Sequence, residues 1–151
     1  MNILFFILSV ALFYFVSFKL PPNYPKRKLC IYLGSSLILI PLAFFLTLKI
    51  IYALVNYSGV TELTASFICD FLIKLTMTLI TISLVNLASL IVADLMIDNS
   101  IMFHQKYNTA NLNKNPVKFV LANKEKIKIA FKIFFMLGAC LGFYGIWLDS
   151  N

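Results

Sequence analysis

The chain has 151 residues, of which 61% are hydrophobic and 13% charged, and its formal net charge is +7. Soluble domains run at about 45–50% apolar and about 25% charged, so this composition excludes an ordinary water-exposed domain. The apolar runs are continuous and about twenty residues long, whereas a membrane β-barrel needs alternating segments of about ten. The expectation is an all-α integral membrane protein with four transmembrane helices in a bundle, a single domain over residues 1–151.

The thirteen basic residues are twelve lysines and Arg27. Their distribution reads as the positive-inside bias of a membrane protein rather than a nucleic-acid footprint, and no direct nucleic-acid binding is expected. Cys30, Cys69 and Cys140 form no CxxC and no His-paired spacing. They read as small apolar packing residues, with no disulfide framework, metal site or cofactor.

The first predicted helix covers about 3–18. Its start, Met1-Asn2, has no basic residue, and the run ends in SFKLPPNYP without a small-residue cleavage site. It therefore reads as a retained helix rather than a signal peptide. Lys19, Lys26, Arg27 and Lys28 follow, and Pro21, Pro22 and Pro25 predict a stiff, tight connection. The second helix covers about 29–55, with Pro41 predicting a kink. Lys49 lies near its far end, and Tyr52 and Tyr57 read as interfacial anchors. Asn56-Tyr57-Ser58-Gly59 reads as a turn, and its first three residues form a glycosylation triplet.

The third helix, about 63–98, organises the rest. Leu75–Ala93 is nineteen residues without an ionisable group, which spans roughly 28 Å as a helix and matches the hydrocarbon thickness of a bilayer. Asp70 and Lys74 precede it with i, i+4 spacing and read as an interfacial pair. Asp70, Lys74, Thr78, Thr81 and Ser89 fall within about 100° on a helical wheel. With Asn86 they form a candidate polar stripe, for interhelical hydrogen bonds or for a wet path; Asn86 in particular calls for a partner on another helix. Asp94 and Asp98 form a like-charged i, i+4 pair at the other end. That arrangement requires lysines from the next loop, another subunit or another protein.

Residues 99–128 form a basic loop carrying Lys106, Lys114, Lys118, Lys124, Lys126 and Lys128. With Asp94 and Asp98 these are candidate contacts to a cytoplasmic partner or to anionic lipid. His104 reads as a solvated loop histidine. NTANLNKNP is irregular, and Asn115-Pro116 reads as a helix start with Asn as the cap. A short interfacial helix from Pro116 runs into the last helix, about 116–148 overall. There Gly138, Gly142 and Gly145 lie within about 60° and form a candidate helix-packing face. Tyr144 and Trp147 read as an aromatic belt.

Eleven basic residues fall on one side of this topology and two, Lys49 and Lys74, on the other. Both termini are therefore expected on the outer side, in a bacterial inner membrane. The sequence has no GxSxG, HExxH, Walker A or GxGxxG motif, so no catalytic residues are assigned and an enzyme is not expected. The first expectation is a protein-interaction role, such as the membrane subunit of an anti-phage or mobile-element system. Its contacts would be lipid, a soluble cytoplasmic protein, a second copy of the chain, or several of these. A small homo-oligomeric channel built on the polar stripe is an alternative. Asn111-Leu112-Asn113-Lys114-Asn115-Pro116-Val117 and the helix after it are similar to some colicin immunity proteins over the last quarter of the chain. The rest departs in helix number and spacing; the resemblance implies immunity to a pore-forming bacteriocin.

Overall fold

A computed structural model describes residues 2–19, 25–58 and 61–149, without the side chains of 57, 58 and 62. The described residues are helical with no strand. Helix α1 (Asn2–Tyr14) widens into a π turn, Phe15–Lys19. Helix α2 is Lys26–Ser58 and α3 is Glu62–Ser89. A π segment, Leu90–Met96, leads α3 directly into α4 (Ile97–Tyr107). A turn region, with a short 3₁₀ helix at Thr109–Asn111, precedes α5 (Val117–Ala122) and α6 (Lys124–Trp147). Four helical stretches are long and apolar enough to cross a membrane, at 18, 31, 45 and 24 residues.

Helix α3 is the central element. It packs against α1, α2 and α6, while α1 lies mainly on α6. The main core cluster joins Phe13 of α1, Ile82 of α3 and Ala139, Phe143 and Trp147 of α6. A smaller cluster joins Leu29 and Leu33 of α2 to Leu90. Helix α2 is otherwise peripheral: Ile31, Ile38, Leu42, Phe45, Leu46 and Ile50 are all exposed. Large apolar side chains also face outward on the other three long stretches, including Leu4, Ile7, Met77, Leu84, Leu137 and Leu141. An apolar surface of this extent suits lipid contact better than water.

Several boundaries differ from the sequence reading. The third helix does not stop at Asp98; it continues to Tyr107, because Ile101 is buried and α4 folds against α5. Consequently much of the 99–128 segment is helical, and His104 is a half-buried helix residue rather than a solvated loop histidine. The last stretch breaks at Asn123, and α5 begins at Val117 with Pro116 before it and no side-chain cap, so Asn115 is not the cap. Helix α2 runs unbroken through Pro41 and through Asn56 to Ser58, where a turn was expected. Pro21, Pro22, Gly59 and the Tyr57 side chain lie outside the described residues.

Trp147 is also relocated. It is 2% exposed, not a belt residue. Its ring stacks on Phe5 at 4.9 Å and tilts against Phe71 at 6.1 Å, which places it inside the bundle. Tyr144, three residues earlier, is exposed as expected. Because Phe143 is fully enclosed, Phe143→Ala leaves a cavity and is expected to cost about 3 kcal/mol. Leu141→Ala, at a position 76% exposed, is expected to change stability little. Unfolding in detergent, followed by the fluorescence of the single tryptophan, compares the two.

Candidate functional site

The polar residues of α3 point in two directions. Thr78, Ser83, Asn86 and Ser89 are buried. Three of them each bond to a different neighbouring helix. Trp147 Nε1 of α6 donates to Thr78 Oγ1 at 2.9 Å. Ser36 Oγ of α2 donates to Ser83 Oγ at 2.8 Å. Ser17 Oγ, in the π turn after α1, donates to Asn86 Oδ1. Asn86 Nδ2 in turn donates to the Ile82 carbonyl of its own helix at 2.8 Å. The partner that Asn86 required is therefore Ser17. Each such bond contributes about 1 kcal/mol inside an apolar bundle.

The rest of the candidate stripe does not join them. Asp70 is exposed and pairs with Lys74 at 3.1 Å. Thr81 donates to the Met77 carbonyl of its own helix. Ile82, which lies between Thr78 and Asn86 along α3, packs in one buried apolar cluster with Phe13 and Phe143. The glycine face is mostly open. A Cβ added at Gly142 would meet Thr81 Cγ2 at 3.6 Å, whereas one at Gly138 or Gly145 would meet nothing within 4 Å.

The densest polar feature lies at the end of the bundle where α2 and α6 begin and the π segment ends. Asp98 accepts from three ammonium groups: Lys26 Nζ is 2.6 Å from Oδ2, and Lys124 and Lys128 Nζ are each 2.7 Å from Oδ1. Asp94 is more deeply placed, 5% exposed. Its Oδ1 lies 3.5 Å from Lys26 and 3.8 Å from Lys128. Lys132 Nζ sits 3.1 Å from its Oδ2, a charge contact without the direction of a hydrogen bond. Burying charge in a low-dielectric surrounding is unfavourable unless the charges are paired and hydrogen-bonded. Here the like-charged aspartates are held together because lysines from two separate segments surround both.

These groups line an open cavity of about 460 Å³, with Phe18 and Ile129 as its apolar walls. Asp94 and Lys132 also line a much smaller void of about 10 Å³ beside Ser17, Asn86 and Ser89. Both π segments border that void, through Ser17 and through Leu90 and Asp94; π turns are often found at functional positions.

The candidate contact residues thus separate into two groups. Asp94, Asp98, Lys124 and Lys128 are engaged internally. Lys106, Lys114, Lys118 and Lys126 are exposed and make no ion pair among the described residues, Lys106 lying 5.1 Å over the Tyr107 ring. The sequence reading did not include Lys26 and Lys132 in this cluster. Lys26 lies 72 positions from Asp98, and no local pattern joins them. No protein family model, curated protein or solved structure matches the chain.

Asp98 is 23% exposed and touches three lysines, whereas Asp70 is 62% exposed and touches one. Asp98→Asn is expected to destabilise by about 2 kcal/mol, the loss being reduced by partial solvent screening. Asp70→Asn should cost no more than about 0.5 kcal/mol. Equal losses in a detergent melt would contradict the central role given to Asp98. A double-mutant cycle of Ser17→Ala with Asn86→Ala is expected to return a coupling of about 1 kcal/mol, and additive losses would show that their bond contributes nothing.

Proposed function

We propose that this protein is a non-enzymatic, multi-pass protein of a bacterial inner membrane, with both termini outside. Its role is to dock a soluble cytoplasmic protein that presents an acidic face. The observation that carries the reading is the division of the lysines. Asp94 and Asp98 are neutralised within the chain, which leaves Lys106, Lys114, Lys118 and Lys126 exposed on the α4–α6 segment. Met102, Phe103, Tyr107 and Phe119 are exposed on the same segment, each more than half accessible. Aromatic and methionine side chains among unpaired positive charges suit an acidic protein surface with apolar anchors. Membrane subunits of anti-phage or mobile-element systems are the functional class proposed.

A second copy of the chain is proposed as a further partner, through the face of α6 that carries Gly138 and Gly145. Both positions are open, and a helix backbone can approach glycine closely.

The test is purification from the native host in mild detergent. A stoichiometric acidic soluble protein is expected to accompany the wild type. The variant Lys106→Glu, Lys114→Glu, Lys118→Glu, Lys126→Glu is expected to lose it while keeping its melting temperature within a few degrees. Undiminished recovery with the reversed charges would overturn the docking reading. The mass of the same particle reports whether a second copy is present.

A further inference from the structure

The cluster at the basic end is not electrically balanced. Lys26, Lys124, Lys128 and Lys132 surround Asp94 and Asp98, so four ammonium groups face two carboxylates and leave an excess of two positive charges. Glu125 lines the same cavity and lies 3.9 Å from Lys128, which lowers the excess to one, but at 77% exposure its charge is the most strongly screened by water. Lys128 is 7% exposed and Lys132 15%, so water screens neither well. Unbalanced positive charge in a poorly hydrated place favours a counter-anion.

The cavity has the size and lining to take one. Its volume of about 460 Å³ exceeds that of a phosphate group, and its lining sets four lysines against Asp94, Asp98 and Glu125. Lys26 and Lys124 are each about one third exposed, so their ammonium groups remain accessible from outside the cluster. Phe18 and Ile129 form the apolar part of the wall, and Ile129 is itself half exposed. A free inorganic anion has no use for these walls, but an amphiphile does. The cavity also sits where the long apolar stretches give way to charged residues, the level at which lipid headgroups lie.

We propose that this lysine cradle binds one phosphate-bearing anion, the phosphodiester headgroup of an anionic phospholipid, between the start of α2 and the start of α6. Lys26 and Lys124 meet the phosphodiester from the open side. Lys128 and Lys132 supply positive potential from below while remaining bound to the aspartates. Phe18 and Ile129 contact the glycerol and the first methylenes. A bound lipid of this kind joins α2 to α6, two helices whose main contacts are with α3.

The full chain, reconstituted in nanodiscs of mixed phosphatidylglycerol and phosphatidylcholine, is released into native mass spectrometry. One phosphatidylglycerol is expected to remain bound per chain, and phosphatidylcholine none. Lys26→Gln with Lys124→Gln is expected to weaken that retention about thirtyfold. The charge-preserving Lys26→Arg with Lys124→Arg should keep the lipid, which separates loss of charge from loss of fold. Arg27→Gln with Lys28→Gln removes the same charge from the neighbouring exposed positions and should also keep it. Equal retention of both lipids, or equal loss in the Arg27/Lys28 variant, would overturn the site. Displacement of the lipid by inorganic phosphate alone would overturn the lipid assignment and place a soluble phosphate in the cradle instead.

Discussion

A buried polar side chain on an apolar helix has to find its partner on a neighbour, and α3 carries several. Thr78, Ser83 and Asn86 are answered by Trp147, Ser36 and Ser17, one from each surrounding helical stretch. Apolar side chains set no register in lipid, since lipid tails are as apolar as leucine. A hydrogen bond inside the bundle does, because sliding a helix by one turn would break it and leave the Trp147 indole N–H, for one, without its acceptor. The three contacts therefore fix the position of each helix along α3. Phe13, Ile82 and Phe143 pack in one buried apolar cluster, with Ile82 between Thr78 and Asn86 along α3.

The same rule operates at higher stakes around Asp94 and Asp98. Two carboxylates one helical turn apart repel each other, and the deeper one is almost entirely enclosed. The arrangement is held by ammonium groups from α2 and α6, so the starts of two helical stretches meet the interior of a third at one cluster. The surplus of positive charge is what makes this end chemically distinctive. The basic residues of the α4–α6 segment thereby separate into a set paired with carboxylates inside the chain and an exposed set that makes no such pair among the described residues.

Much of the architecture was legible in the residues. Nineteen uncharged positions between Lys74 and Asp94 define one span, and three comparable runs define the others. The pairing of Asp70 with Lys74 followed from spacing alone, because i and i+4 meet on any helix. The need for a partner at Asn86 followed from the unfavourable burial of an unpaired polar group, and the need for lysines at Asp94 and Asp98 from the repulsion of like charges at i, i+4 spacing. Other features were not legible. Trp147 read as a belt residue because tryptophan at the end of an apolar run usually is one; only the proximity of Phe5, Phe71 and Thr78 draws it inside. The continuation of the third helix beyond Asp98 depends on α5 folding back against α4, a contact that local sequence does not encode.

The sequence by itself determined the helical class, the four long apolar stretches and the positions where polar groups demand partners, because length, hydropathy and charge are local properties. Only the tertiary structure decided which groups answer them. Lys26 and Asp98 lie 72 positions apart, and Ser17 and Asn86 lie 69 apart; contacts at such separations are set by how the helices pack together. That packing turned a line of scattered lysines into a cradle at one end of the bundle.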